Sequence, residues 1–434
     1  MDVRALLHFL AWSWTMVAVS SEPVMVRTAQ GRLRGGRMTT YTGKPFFAFR
    51  GVRYAEAPMD DYRFKPPVPV RPWGEEIREA VSDGPVCPQP SALHFGSSTS
   101  EDCLFLNVYT KELNSNVKQP VMVYLHAGGY AVVTGNSNWE GPQYLLEKNV
   151  VLVTLNYRLG ALGFACTNDS ILPGNYGMKD QVEALKWVRE NILPFGGDPD
   201  RVTLFGYSAG GASVLLHMVS PMSRGLFHRA IAMSGSATSG WATNRDPLAL
   251  ASRLTHNLGC PSYDSRLIYA CLMKHSAEEI VNATRAIKDF ELAPIALFAP
   301  AVEEGPDPFL PADPLQLLQT QQFAQVPLVL GASRNEFAAR GYYVLLNATL
   351  TEEFNDNFDL MAPVEFMYER KGEKSRAISA AIRKFYLNNQ PISNRTRTRF
   401  MEIYSDSLTT FSVVQTARLM AVRSSQPVYL YVFD

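Results

Sequence analysis

A serine flanked by glycines at residue 208 is the feature of this sequence best suited to do chemistry. Gly206 and Gly210 lie two positions on either side of Ser208, and the apolar run 202–205 precedes them. Gly-x-Ser-x-Gly between a strand and a helix is the turn that exposes a nucleophilic serine, because its glycines let the strand and the helix approach closely. The alternative is a serine that only caps a helix. The preceding strand and the small residues that follow favour Ser208 as a nucleophile.

A second glycine-rich turn, at residues 124–130, also follows an apolar strand. Glycines leave backbone N–H groups uncovered, so Gly128 and Gly129 could bind the oxyanion of a tetrahedral intermediate together with the N–H of Ala209. Loss of one such donor slows a reaction by about 10²–10³. The alternative is an ordinary Gly-Gly turn, and the position of this turn at a strand end favours an oxyanion hole.

Buried strands that alternate with helices must position these two turns. The predicted buried strands are 104–109, 121–125, 150–155 and 202–205, and a helical pattern covers 178–191. This order predicts an α/β fold with a mostly parallel sheet covered by helices on both faces, and ligands bind at the carboxyl ends of such strands. Further elements predicted from the sequence are edge strands at 25–28 and 31–34, an extended proline-rich stretch at 64–73, helices at 248–257 and 376–387, and strands at 326–330 and 428–433.

The composition of the chain bears mainly on whether a charged partner is expected. The chain has 434 residues, with 41 basic and 41 acidic side chains and a net charge of zero. A neutral chain gives no reason to expect nucleic acid or an anionic membrane surface as a partner.

The N-terminus resembles an export signal. Arg4 precedes the mostly apolar run 5–19, and Ala18-Val19-Ser20 offers small residues at a cleavage site. The run is shorter than the roughly 20 residues that a membrane span needs. An uncleaved anchor or a buried helix are the alternatives. The interpretation adopted is a signal peptide at 1–20, a mature domain at 21–434, a secreted product and no transmembrane segment.

Export predicts disulfides and glycans. Cys87 with Cys103, and Cys260 with Cys271, could close two short loops and leave Cys166 unpaired. The sequence contains no Cys-x-x-Cys pair, the spacing that would suggest a metal site. Neither a metal nor a cofactor is expected. Asn-x-Ser/Thr acceptor sites for glycans occur at Asn168, Asn282, Asn347 and Asn394.

The sequence resembles the type-B carboxylesterases, the family that includes cholinesterases, insect esterases and the adhesion proteins called neuroligins. The resemblance rests on the runs 49–58, 101–108, 156–160, 174–181 and 195–199, in addition to the two glycine turns. It implies an α/β-hydrolase fold and hydrolysis of a small-molecule carboxylic ester. The resemblance also implies that Ser208 is the nucleophile, that Gly128, Gly129 and Ala209 form the oxyanion hole, and that Glu336, in the Gly-x-x-x-x-Glu run 331–336, is the acid. It further supports both cysteine pairs.

Three departures from the family pattern bear on activity. Ala127 replaces the first glycine of the usual triple-glycine turn, but alanine still offers its N–H. Tyr207 stands where many relatives carry glutamate. No tryptophan lies between Cys87 and Cys103, where choline-selective relatives use one to hold a quaternary ammonium. Choline esters are therefore disfavoured as substrates.

The general base of the expected triad is missing from this sequence. Chain order in these hydrolases is serine, acid, histidine, yet residues 337–434 contain no histidine. The seven histidines all precede Glu336: His8, His94, His126, His217, His228, His256 and His275. The expectation is a C-terminally incomplete chain with impaired catalysis. Two alternatives remain open, namely an adhesion protein of the neuroligin kind and a truncated esterase that binds esters without hydrolysing them. The sequence does not predict an oligomeric state.

Overall fold

One large sheet organises the described residues, which in this computed structural model are 24–90, 98–287, 289, 295–370 and 372–434. Its strands are β1 (Val24–Arg27), β2 (Gly31–Thr39), β3 (Pro45–Arg53), β4 (Gly74–Glu79), β5 (Phe105–Thr110), β6 (Gln119–Leu125), β7 (Val151–Leu155), β8 (Gly197–Tyr207), β9 (Arg229–Met233), β10 (Leu328–Ser333) and β11 (Val428–Phe433). The α-helices are α1 (Gly160–Phe164), α2 (Tyr176–Asn191), α3 (Ala209–Val219), α4 (Pro247–Asn257), α5 (Ser265–Lys274), α6 (Ala277–Arg285), α7 (Pro314–Gln319), α8 (Ala338–Leu346), α9 (Ala348–Asp356), α10 (Phe358–Glu365), α11 (Gly372–Leu387), α12 (Arg397–Ser405) and α13 (Phe411–Ala421).

The sheet is mixed, with a parallel half and an antiparallel half. Its order is β1-β2-β3-β5-β7-β6-β8-β9-β10-β11, and β4 pairs with β2. All pairs from β7 through β6, β8, β9 and β10 to β11 are parallel, whereas β1, β2, β3, β5 and β7 pair antiparallel in turn. The prediction of a mostly parallel sheet is confirmed: six strand pairs are parallel, β2 with β4 among them, and the four antiparallel pairs all lie in the N-terminal half. Among the described residues of that half no α-helix connects one strand to the next, whereas parallel neighbours usually need such a crossover.

Most of the predicted elements fall on observed ones. The strand predicted at 428–433 coincides with β11, the one at 202–205 is the middle of β8, and the helix predicted at 178–191 lies within α2. Apolar patterns identified α2 and the middle of β8 because many of their side chains are buried, whereas β11 has an apolar pattern without any fully buried residue. All five residues of β7 are buried, as expected for a central strand.

A buried ion pair fixes α2 against the chain that leaves β7. Arg158 Nε and Nη2 donate to the two oxygens of Asp180 at 2.8 and 2.6 Å, and the Arg158 backbone N–H donates to Oδ2 at 3.0 Å. Both side chains are almost fully buried. Removing one partner would leave an uncompensated buried charge, which destabilises strongly. The pair therefore holds a helix that packs under the sheet in one position.

None of the helices in the described part of the chain is both long enough and apolar enough to cross a membrane.

Candidate active site

Ser208 occupies a strained turn between β8 and α3. Its backbone has φ 55° and ψ −119°, outside the regions that L-residues ordinarily adopt. Two backbone bonds hold it there: the Ser208 N–H donates to the Met233 carbonyl at 2.8 Å, and the Ala212 N–H donates to the Ser208 carbonyl at 2.9 Å. Strain of this kind persists only where the surroundings over-determine it, and it clusters at functional sites.

The two glycines beside Ser208 are required by close backbone contacts. A Cβ on Gly206 would lie 2.5 Å from the Gly210 carbonyl carbon, and one on Gly210 would lie 1.9 Å from the Leu125 carbonyl oxygen. The end of β6 therefore lies directly against the first turn of α3. The spatial role expected for both glycines is what the structure shows.

The turn after β6 presents backbone N–H groups. Gly128 has φ +110°, and a Cβ there would lie 2.0 Å from the Val132 carbonyl oxygen. Within the described part of the chain, the N–H groups of Gly128, Gly129 and Ala209 donate no hydrogen bond. Unpaired donors at a helix N-terminus and an adjacent turn are suited to stabilising an oxyanion.

His126 belongs to the framework of this turn. Its ring is buried, stacks on Tyr157 with centroids 4.3 Å apart, and places Nδ1 2.7 Å from the Ala127 carbonyl oxygen. Burial lowers the pKa of His126 to about 4, so the ring is neutral at physiological pH. It is positioned to shape the turn rather than to accept a proton from Ser208.

Glu336 lies buried in the loop that follows β10. Its Oε1 accepts from Ser234 Oγ at 2.6 Å, from the Ser333 N–H at 2.8 Å and from Ser333 Oγ at 2.8 Å. Ser405 Oγ donates to the Glu336 backbone carbonyl at 2.7 Å. Among the described residues no group donates to Oε2. One oxygen is thus anchored and the other is left for a further donor.

Ser234 links the Glu336 loop to the Ser208 turn, and the sequence analysis missed it. It follows β9 with φ 52°, and its N–H donates to the Gly331 carbonyl at 2.8 Å. Its neighbour Gly235 lies so close to Ser208 that a Cβ there would be 2.1 Å from the Ser208 carbonyl oxygen. The only signal in the sequence was Ser-Gly-Ser directly after an apolar strand. Because Ser234 and Glu336 are separated by 102 positions in the sequence, no local pattern predicts their contact.

The described histidines do not supply a base to this site. His217 is buried between Ser223 Oγ at 2.7 Å and Gln181 Oε1 at 2.9 Å, and burial lowers its pKa to about 3. His228 Nδ1 accepts from the Val202 N–H at 3.2 Å, so both rings hold structural hydrogen bonds. His256 is exposed at the end of α4, and His275 lies beside a disulfide. His94 and His8 lie outside the described residues.

Both cysteine loops are closed by disulfides, Cys87 with Cys103 and Cys260 with Cys271. Cys166 is free and buried, and burial raises the pKa of its thiol to about 11. Cys260, Cys271 and His275 place their ligand atoms within 4.8 Å of one another. Since both sulfurs are bonded to each other, they cannot act as thiolate ligands in this state.

The four predicted glycan acceptors differ in setting. Asn168 and Asn394 are exposed in turns, and Asn282 is exposed on α6. Asn347 is half-buried and caps α9, where its Oδ1 accepts from the Leu350 N–H at 3.1 Å. None of the four side chains lies in the core.

Comparison with known proteins identifies the family and the fold of this chain. The model of the carboxylesterase family matches residues 22–434, and the chain belongs to this family of carboxylic ester hydrolases. It is 34% identical over 444 residues to a juvenile hormone esterase of Tribolium castaneum, covering 99% of this chain and 75% of that protein. It is 36% identical over 438 residues to esterase FE4 of Myzus persicae, covering 98% of this chain and 76% of that protein.

A solved structure gives the same picture. The juvenile hormone esterase of Manduca sexta, with OTFP covalently attached, superposes with a TM-score of 0.85 and 31% identity. The match covers 95% of this chain and 78% of that one. The α/β-hydrolase fold expected from the sequence is confirmed.

Proposed function

We propose that this chain acts on carboxylic esters through an acyl-serine intermediate formed on Ser208. The supporting observation is a pair of contacts next to unpaired N–H groups: the Ser208 N–H donates to the Met233 carbonyl, and the side chain of the adjacent Ser234 donates to Glu336 Oε1. Ser208 Oγ attacks the ester carbonyl, and the N–H groups of Gly128, Gly129 and Ala209 stabilise the oxyanion. Collapse of that intermediate expels the alcohol, which takes up the proton released from the Ser208 hydroxyl, and water then attacks the acyl-serine to release the acid and restore that hydroxyl.

Glu336 is proposed to orient a general base rather than to transfer a proton itself. Its open Oε2 is the atom that would accept a histidine N–H. Because residues 337–434 contain no histidine, we propose that this chain by itself hydrolyses esters slowly. Enzymes of this kind that lose a triad member keep about 10³–10⁴-fold acceleration over water, through the oxyanion hole and binding.

The experiment is hydrolysis of p-nitrophenyl acetate by the purified 434-residue chain, with and without added imidazole. We expect a slow reaction that imidazole accelerates, because the small base can occupy the space beside Glu336 Oε2. After subtraction of the rate that imidazole gives without protein, the acceleration should vanish in Ser208→Ala and persist in Ser213→Ala, a matched serine inside α3. Equal imidazole acceleration in the parent chain and in Ser208→Ala would overturn the proposal.

Two other outcomes separate related functions. A rate in the absence of imidazole equal to that of the Tribolium castaneum juvenile hormone esterase would show that the base is supplied by a residue we have not assigned. Saturable binding of an ester with no Ser208-dependent turnover would favour an ester-binding protein. Juvenile hormone is a natural ester to include, since two of the proteins compared above are juvenile hormone esterases.

We further propose that residues 1–20 are a signal peptide, that the domain is residues 21–434, and that the product is secreted and glycosylated at Asn168, Asn282, Asn347 and Asn394. Expression in insect cells should give a protein in the medium that begins near residue 21. Treatment with a peptide N-glycosidase should lower its mass. Retention in the cell with an intact N-terminus would contradict this proposal.

A further inference from the structure

Two sulfurs and an imidazole lie together where α4, α5 and α6 meet. Cys260 follows α4, Cys271 lies in the last turn of α5, and His275 comes directly after that helix. His275 Nε2 is 3.7 Å from Cys260 Sγ, and the donor atoms of all three residues lie within 4.8 Å of one another. Cysteine and histidine are the usual ligands of zinc, whose neighbouring donor atoms in a tetrahedral site are about 3.5 Å apart. The three residues therefore have the chemistry and the spacing of a zinc site, except that the sulfurs are bonded to each other.

The ring of His275 is oriented as in a zinc site. Its Nδ1 lies 3.6 Å from Glu279 Oε2, which favours a proton on Nδ1 and leaves the lone pair of Nε2 directed at the sulfurs. The N–H and Oγ of Ser276 each donate to Glu279 Oε2 at 2.8 Å, and the backbone bond above all holds the pKa of Glu279 below its usual range. Histidines that bind zinc commonly donate their second N–H to a carboxylate fixed in this way.

The contacts that position these ligands do not involve the S–S bond. The Cys260 N–H donates to the Thr255 carbonyl at 2.9 Å, and Arg63 Nη1 donates to the His275 carbonyl at 2.7 Å. Cys271 is buried within α5. Cleavage of the disulfide removes none of these contacts, so the three donor groups stay close together.

We propose that reduction of the Cys260–Cys271 disulfide opens a zinc site formed by Cys260, Cys271 and His275. The reductant is a dithiol, which becomes a disulfide as it gives two electrons and two protons to the two sulfurs. Zn²⁺ then displaces both thiol protons, binds the two thiolates and His275 Nε2, and keeps a water molecule as its fourth ligand. The ion thereby replaces the covalent link between α4 and α5.

The test uses Co²⁺, which binds zinc sites and absorbs visible light. The full 434-residue chain is treated with a dithiol, freed of it by gel filtration without air, and titrated with Co²⁺. We expect a thiolate charge-transfer band in the near ultraviolet and the visible bands of tetrahedral Co²⁺, both of which Zn²⁺ abolishes by displacing the probe. The untreated chain should show neither band, because its sulfurs are bonded to each other.

Two matched pairs of variants locate the site. Glu279→Gln keeps a side chain that can cap α6 but removes the carboxylate beside His275, so it should weaken Co²⁺ binding by about 10–100-fold. Glu278→Gln, at the exposed neighbouring position, is its control. His275→Gln removes a direct ligand and should weaken binding by about 100-fold or more, whereas His256→Gln changes an exposed histidine of α4 and should leave binding unchanged.

Alkylation of individual cysteines gives a second readout on the same reduced chain. Zn²⁺ should slow the reaction of Cys260 and Cys271 with iodoacetamide, measured by peptide mass spectrometry, and leave Cys87 and Cys103 as reactive as they are without the ion. The proposal is overturned if the reduced chain gives no tetrahedral Co²⁺ spectrum or if His275→Gln binds Co²⁺ like the parent. It is also overturned if Zn²⁺ protects all four cysteines alike or none of them.

Discussion

Single atoms decide whether the site can form, and Gly210 shows this most directly. A Cβ on Gly210 would lie only 1.9 Å from the Leu125 carbonyl oxygen, which occupies the space that a side chain would need. Neither partner can move freely, because one is in the first turn of α3 and the other ends β6. The site therefore tolerates no side chain at this position.

The first prediction is that Gly210→Ala lowers the free energy of unfolding by about 1–3 kcal/mol or more, as overpacking of a core does. Gly36→Ala is the control, because a Cβ there meets nothing within 4 Å. Urea unfolding of the two variants measures the difference. Equal stability of both variants would show that β6 and α3 are less closely packed than described.

The second prediction concerns pH. Folded His217 stays neutral down to about pH 3, whereas an unfolded histidine binds a proton below about pH 6.5. Its contribution to stability is therefore complete above pH 6.5 and falls as the pH decreases from 6.5 toward 3, with a slope of up to about 1.4 kcal/mol per pH unit.

His217→Gln should reduce that slope between pH 6.5 and 5, measured by urea unfolding at several pH values. His256→Gln changes an exposed histidine at the end of α4 and should leave the slope as it is in the parent chain. A slope that His217→Gln does not alter would mean that His217 is not kept neutral by burial.

At the scale of elements, the disulfides constrain short segments rather than the sheet. Cys260 follows α4 and Cys271 lies in α5, with 11 residues of separation, so the bond holds two consecutive helices together. A disulfide that closes a loop of this length raises the free energy of unfolding by about 3 kcal/mol, if its effect is to lower the entropy of the unfolded chain.

The third prediction follows: Cys260→Ser with Cys271→Ser should lower the free energy of unfolding by about 3 kcal/mol. Cys166→Ser should cost less than about 1 kcal/mol, because the hydroxyl can keep the contacts of the buried thiol with the Asn168 N–H and the Pro173 carbonyl. Denaturant unfolding without reductant provides the measurement. A double variant as stable as the parent would contradict the assigned pairing.

At the scale of the whole molecule, the two faces of the parallel half of the sheet are unequal. One face packs on α2, α3 and α13 within the main core. The other carries a small separate cluster to which, among the described residues, no α-helical residue belongs. Met122, Tyr124, Ile231 and Met233 are only partly buried there. Parallel sheets usually have both faces covered, whereas the apolar side chains on this face remain partly accessible.

The fourth prediction is that the native chain binds a hydrophobic dye such as anilinonaphthalene sulfonate on this face. Ile231→Lys should reduce the fluorescence, since it places a charge in the middle of the apolar surface. Ile77→Lys on β4 should leave the fluorescence near the parent value. Identical fluorescence from both variants would locate the dye elsewhere.

The sequence by itself determined the positions where backbone must approach backbone. Gly206, Gly210 and Gly128 could be recognised from the sequence alone. Glycines at these positions directly after predicted strands are best explained by a backbone that leaves no room for a side chain. A buried strand such as β7 could be recognised because its apolar pattern follows directly from burial. Local chemistry and local periodicity were enough for these.

Only the tertiary structure decided which distant segments meet. Ser234 donates to Glu336 across 102 residues because β9 and β10 are neighbours in the sheet, and strand order cannot be read from either strand alone. The antiparallel pairing of the N-terminal half and the partly accessible sheet face likewise depend on strand order. Pairing is set by the global packing of apolar faces, and no short window of sequence contains it.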